Sequence, residues 1–358
     1  MTILYIFLAL LMFGIMITVH EAGHFFAARL TGIPVKEFAI GFGPSIVKWK
    51  SRKHETMFHL RSIPVGGYCA FYGEDDIEGK EINDPRAFGK HKVSSRLLTI
   101  LMGSVMNIVL ALVVAFGYYA VSGVPTTTGP YVTRVQSVNQ GSPAELSGIF
   151  MGDIIVSVDN QPVTSNLSEL LDAYGQKGEF PVNMTVARGY GETQKMVDVL
   201  VTPIKNQDTN RYMLGIMVDV SAPVEMVKGG LIDSFKAAVQ LCIGASRSIL
   251  DAFRNLLFRG EGMGEMTGVV GVTQMIVEET QRSQLQGYLS MLIFISINLG
   301  LVNLFPFPGL DGSRFLFLLG EAVRGKPVEK EAYVHAAGMI LLLGFMLFIT
   351  LRDILRLF

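Results

Sequence analysis

A chain that must hide four separate apolar runs of about 20 residues has few ways to fold in water, because each run is long enough to cross a bilayer as a helix. The first run, Thr2 to Val19, carries no charged side chain. The second extends from Leu97 to Val121 and is broken mainly by Ser104 and Asn107. The third covers Tyr288 to Pro308 and the fourth Tyr333 to Leu351. Half of the residues are hydrophobic and only 17% are charged, too few charges for an ordinary soluble protein. The expected fold class is therefore a polytopic α-helical membrane protein with four transmembrane helices. A cleaved signal peptide is a poor reading of the first run, which has neither a basic leader nor a small-residue cleavage site. With 30 basic and 31 acidic side chains and a net charge of -1, nothing in the charge balance points to nucleic acid.

Orientation follows from the short loops, since cytosolic loops accumulate Lys and Arg. Arg29, Lys36, Lys48, Lys50, Arg52, Lys53, Arg61, Lys80 and further cations through Arg96 lie between runs one and two. Arg314, Arg324, Lys326 and Lys330 lie between runs three and four. Both loops are expected in the cytosol of a multi-pass cell-membrane protein, with the N-terminus, the long segment 122–287 and the C-terminus outside. Cys69 and Cys242 then fall on opposite sides of the bilayer and are expected as plain thiols.

Between the runs the patterning changes. The extended runs VKEFAIGF, SIVKWK, TMFHLRSI and GGYCAFYG, punctuated by Gly and Pro, predict a membrane-associated β-hairpin region within 31–96, followed by a polar loop from Glu74 to Asp84. Over 125–222, the runs YVTRV, DIIVSVD, VNMTVAR and VDVLVTP read as strands, SELLDAY as a short helix, and RYMLGI as a further strand. GSPAELSG starts another helix, with Ser142 at the cap, Pro143 at the first helical position and Glu145 where a capping box wants its acid. This α+β module resembles a PDZ domain, a resemblance carried by GSPAELSGIFMGDIIVSVDNQPV. Region 223–284 contains Ile232, Phe235, Val239, Ile243, Ile249, Phe253 and Leu257 at helical spacing, which predicts an amphipathic helix either at the membrane surface or packed on the module.

HEAGH, at 20–24, carries the chemistry. Two histidines four apart on a helix share a face, and the Glu beside the first can reach a water bound to the same metal. At about 1.5 Å per residue, His20 lies roughly 28 Å along the first span, near its cytosolic end. An ionisable cluster there is costly and usually functional. A catalytic zinc site needs a third protein ligand and an open position. Asp311, in NLFPFPGLDG at the cytosolic end of the third span, sits at the same expected depth as His20.

With these motifs in view, the chain resembles the site-2 protease family, in particular its bacterial regulator-of-sigma-E-protease-like branch with a single PDZ domain. HEAGH, NLFPFPGLDG and LMGSVMN match the family's three signature segments, and GFGPSIVKW, IPVGGY, DPRAF and GVVGVTQM match further segments in order. The resemblance implies a zinc metalloendopeptidase with Zn2+ held by His20, His24 and Asp311, and with Glu21 as general base. It further implies that Asn107 helps hold the scissile carbonyl and that Asn298 and Asn303 contact unwound substrate. Three positions depart from the commoner pattern: Ser104 stands for a Pro, Gly309 for a larger residue, and Ser313 for a Gly. The implied partners are lipid and a single-span membrane protein, either an anti-sigma factor or a signal-peptide remnant. The expected boundaries are 1–30 for the first span with HEAGH, 97–122 for the second, 285–309 for the third, 310–332 for a cytosolic loop, and 333–358 for the fourth span and C-terminus.

The expected reaction is metal-assisted hydrolysis of a peptide bond, with the substrate span unwound and added as a strand to the sheet around Ala39 to Trp49. A catalytically silent PDZ-bearing scaffold is the main alternative, but Glu21 beside two histidines has no use there. A four-span ion transporter would more often show paired repeats and broken helices.

Overall fold

The computed structural model describes residues 2–52, 55–74, 83–129, 131–163, 167–178, 180–189, 194–206, 210–222, 224–260, 267–328 and 331–356. Most of the expected loop from Glu74 to Asp84, and the cations Lys53, Lys80 and Lys330, lie outside the described residues. The chain divides into two compact units, one of residues 1–122 with 229–358 and one of residues 123–228.

The first unit opens with α1 (Thr2–Thr31), which runs through the apolar stretch and on past HEAGH. It ends on Gly32, whose φ of +79° lets the Ile33 amide reach back to the Ala28 carbonyl at 2.8 Å. Two long strands follow, β1 (Val35–Lys50) and β2 (Met57–Phe71). Their register is folded: Glu37, Phe38, Ala39 and Ile40 each pair twice, once within 67–70 and once within 57–60, while 45–50 pairs with 57–61. The hairpin is thus a small sheet of four runs in the order 45–50, 57–61, 37–40, 67–71. Phe25, one residue beyond the zinc motif, contacts Phe38 and Phe58 at ring separations of 5.4 and 5.8 Å, and Trp49 stacks on Phe58. These aromatic contacts seat the sheet on α1.

The second helix, α2 (Val93–Ser122), packs along α1. Later in the same unit come α5 (Leu231–Arg259), α6 (Val269–Asn303), α7 (Asp311–Arg324) and α8 (Glu331–Arg356). Among these, α1, α2, α6 and α8 are each long and apolar enough to cross a membrane. Helix α5 packs on α2, where Phe235 meets Phe116 at a ring separation of 6.1 Å, and it buries Ser234, Ala238, Cys242 and Ile249. Ile232, Phe235, Ile243 and Leu257 of the expected apolar stripe stay exposed.

Two boundaries differ from expectation. The third span does not run to Pro308. Helix α6 stops at Asn303, because Pro306 and Pro308 cannot continue a hydrogen-bonded helix, and it is broken near its middle at Gln284, with φ 50° and ψ -129°. Segment 310–332 is not a loop. Its first part is α7, a short amphipathic helix that buries Leu318 and Glu321 and begins at Asp311 itself.

The second unit is bracketed by a ribbon of β3 (Val124–Thr127) with β12 (Val224–Val227). Within it lie β4 (Val132–Val138), α3 (Pro143–Leu146), β5 (Ile154–Val158), β6 (Gln161–Pro162), α4 (Leu167–Lys177), β7 (Val182–Arg188), β8 (Lys195–Val201), β9 (Ile204–Lys205), β10 (Tyr212–Met213) and β11 (Ile216–Ser221). The main sheet is antiparallel in the order β11-β4-β5-β7-β8, with β6 on β5. Val135, Ile155, Val158, Leu171, Val182, Met184 and Val199 form its core. Ser142 caps α3 by accepting from the Glu145 amide at 3.3 Å. The Cys69 and Cys242 thiols are free.

Candidate metal centre

On α1, one helical turn places His20 and His24 on the same face, with ring centroids 4.9 Å apart and the rings nearly perpendicular. The turn after α6 then brings α7 back so that its first residue, Asp311, meets them. Its Oδ2 lies 3.1 Å from His20 Nε2 and 3.3 Å from His24 Nε2, and the two Nε2 atoms are 3.3 Å apart. Three electron-rich atoms therefore converge on one point from two helices, with Asp311 lying 291 residues beyond His20 and 287 beyond His24. Among the described residues this is the one His/Cys/Asp/Glu group placed to hold a metal.

The spacing fits zinc. Bonds of about 2.0–2.2 Å at a tetrahedral ion put ligand atoms roughly 3.3–3.5 Å apart, close to what the three atoms show. Both histidines are buried, as a site that excludes bulk water requires. Glu21, next to His20 in sequence, lines the same cavity of about 690 Å³, together with Gly67, Tyr68, Cys69 and Ala70 of the sheet and Arg314 and His335 from α7 and α8. The Cys69 backbone amide donates to the Glu21 carboxylate. The run 67–71 thus stands beside Glu21, as one of the two outer runs of the sheet.

The pairing narrows the expected edge within Ala39 to Trp49. Ala39 and Ile40 are paired on both sides and have no free edge, so within Ala39 to Trp49 only the 45–50 part is an outer run. The outer run next to Glu21 is 67–71.

Sequence reasoning missed several residues that shape the site. Helix α2 approaches α1 so closely that a Cβ on Gly103 would stand 2.3 Å from His24 Nε2. A glycine inside an apolar helix was the available signal. The carbonyl of Thr99, one turn before Gly103, lies 2.9 Å from His24 Nδ1. On the sheet, Glu37 accepts from the Tyr68 hydroxyl and from Arg61 at 2.8 Å. Burial and this bond to Glu37 push the Tyr68 hydroxyl up to about 12, so it keeps its proton and acts as a donor. Arg314 donates to His335 at 3.2 Å and pairs with Glu74 at the cavity wall.

The three expected asparagines are placed differently. Asn303, at the end of α6, brings its amide 3.4 Å from His20 Nε2, beside the converging atoms. Asn107 is wholly buried on α2, 3.2 Å from His20 Nδ1, so its amide meets the His20 ring and does not line the cavity. Asn298 is half-buried on α6 and does not line it either.

Comparison with known proteins bears directly on this arrangement. The profile of Peptidase family M50 matches residues 8–346, nearly the whole chain. The chain belongs to peptidase family M50. The M50 chain is 32% identical over 357 residues to a putative zinc metalloprotease of Clostridium perfringens, covering 98% of this chain and 99% of the relative. It is 28% identical to the regulator of sigma-W protease RasP of Bacillus subtilis, covering 98% of each. It is 30% identical to the chloroplastic membrane metalloprotease ARASP of Arabidopsis thaliana, over 95% of this chain and 76% of that one. This M50 peptidase is a zinc metalloprotease of the membrane, with four helices able to span it.

Proposed function

We propose that the protein hydrolyses a peptide bond within an unwound transmembrane segment of a single-span membrane protein. His20, His24 and Asp311 hold the zinc, and Glu21 is the general base. The convergence of the three ligand atoms beside Glu21, on a helix that otherwise has the composition of a membrane span, is the observation that carries this reading. Bound zinc supplies Lewis acidity and lowers the pKa of its water. Glu21, beside the Cys69 amide, is the group that would accept a proton from an attacking water. The Asn303 amide, beside His20 Nε2, is placed to donate to the developing oxyanion. Asn298 contacts the unwound chain farther from the cut.

A helical substrate hides its carbonyl carbons and must open first. Its freed backbone groups need partners in lipid, and a sheet edge supplies them. The run 67–71 offers such an edge next to the base. The 123–228 unit, an antiparallel sheet with two short helices, acts as a PDZ-like substrate selector outside the cytosol, while the zinc site faces the cytosolic half of the cell membrane. The proposed substrate is an anti-sigma factor or a signal-peptide remnant; the Bacillus relative is named as a regulator of sigma-W, which favours the former.

The test is cleavage of a tagged single-span substrate in detergent by the intact enzyme, by Glu21→Gln, and by enzyme treated with a chelator. Cleavage is expected only from the untreated intact enzyme. Cleavage that persists in both other arms overturns the mechanism.

A further inference from the structure

Each ligand imidazole has a second nitrogen, and what that nitrogen bonds decides which tautomer the ring holds. For His24 the partner is the Thr99 carbonyl at 2.9 Å. A carbonyl only accepts, so His24 carries its proton on Nδ1 and turns a bare Nε2 toward Asp311 and His20.

For His20 the partner is the Asn107 side chain, on the same helix as Thr99 and two turns farther along. The amide nitrogen Nδ2 is 3.2 Å from His20 Nδ1, and the amide oxygen Oδ1 is fully buried with no hydrogen-bond partner. A buried amide oxygen left unbonded is costly. With Nδ2 toward the ring, Nδ1 must accept and the ring proton sits on Nε2, directed at Asp311 Oδ2 3.1 Å away. That proton occupies the direction a metal bond needs. A half-turn of the amide exchanges its two ends, gives Oδ1 a donor in His20 Nδ1–H, and leaves Nε2 as a free lone pair.

We propose that Asn107 is a positioning residue for zinc, whose Oδ1 accepts from His20 Nδ1–H and so holds His20 in the metal-binding tautomer. Asparagine suits the position because one rotor carries both an acceptor and a donor and satisfies the ring in either tautomer. The residue is itself anchored, since Ser296 on α6 donates to the Asn107 backbone carbonyl at 2.8 Å. Helix α2 thereby supplies the outer partner of both ligand histidines. The inference rests on the reading of His20, His24 and Asp311 as zinc ligands.

Zinc affinity of the full-length protein in detergent, measured by competition with a chromogenic chelator, tests it. Asn107→Leu keeps the volume and removes the acceptor, and should weaken zinc binding by about 10–100-fold. Asn107→Asp keeps an acceptor and should bind zinc at least as tightly as the parent. Wild-type affinity in Asn107→Leu overturns the proposal, as does an equal loss in both variants, which would indicate packing alone. Asp311→Ala separates this from the underlying reading. Loss of zinc there with full retention in Asn107→Leu sinks only the role of Asn107, whereas retention in Asp311→Ala sinks the ligand set and the inference with it.

Discussion

The Arg96 guanidinium on α2 donates to both carboxylate oxygens of Glu321 on α7, at 3.0 and 2.5 Å, and both side chains are buried. Glu321 lies ten residues beyond Asp311 on the same short helix, so this pair ties the far end of α7 to the helix that backs both histidines. Removing one partner leaves a buried charge unpaired, which typically costs about 3–5 kcal/mol. Glu321→Ala is therefore expected to lower the unfolding temperature in detergent and to loosen zinc binding through Asp311. The double variant Arg96→Met with Glu321→Met should recover much of the stability, which thermal unfolding checks.

Gly103 leaves room for the imidazoles of His20 and His24. Alanine is favoured over glycine in a helix by about 1 kcal/mol, so helicity alone makes Gly103→Ala benign. Its new Cβ, however, would lie 2.3 Å from His24 Nε2 and 3.0 Å from His20 Cε1. The expected outcome is a folded protein with normal circular dichroism that fails to retain zinc on dialysis.

Gly67 faces Glu21 and lies away from the two histidines. A Cβ there would meet the Ala39 carbonyl at 2.9 Å and Glu21 Cγ at 3.4 Å. Gly67→Val should reduce kcat at least tenfold while zinc content stays at one per chain, a split read by single-turnover cleavage beside metal analysis. Equal loss of zinc and activity would show instead that the sheet supports the ligands.

Asp353, near the end of α8, accepts from the Gly268 and Gly271 amides at 2.8 and 3.0 Å and so caps the start of α6 from another helix. Hydrogen bonds to a charged group contribute about 1.5–3 kcal/mol. Asp353→Ala should destabilise the protein by roughly that amount in thermal unfolding. Asp353→Asn should cost less, because one acceptor oxygen remains.

Much of this architecture was legible in the residues. The four apolar runs marked the helices long enough to span a membrane, HEAGH and the LDG aspartate marked the three side chains that converge, and the strand runs of 125–222 marked the second unit. Three features were not. Helix α7 reads as a connection in the sequence because its apolar run, Phe315–Leu319, is too short to cross a bilayer and lies between Arg314 and Arg324. The end of α6 was set too late because hydropathy continues past Asn303, while the prolines at 306 and 308 stop the hydrogen-bond ladder. Which parts of the sheet are outer runs is not legible in the residues, because alternation shows that a run is extended but not which neighbours it pairs with.

By itself the sequence determined which segments must leave water and which side chains have the chemistry to bind zinc and move a proton, since both depend on composition and short-range spacing. Only the tertiary structure decided how far apart those groups stand. The separations of 3.1–3.3 Å between Asp311 and the two histidines depend on α7 turning back after α6. The clearance at Gly103 and the Asn107 amide on His20 depend on how closely α2 packs against α1. These are contacts between residues distant in the chain, and they arise from packing, which no local pattern encodes.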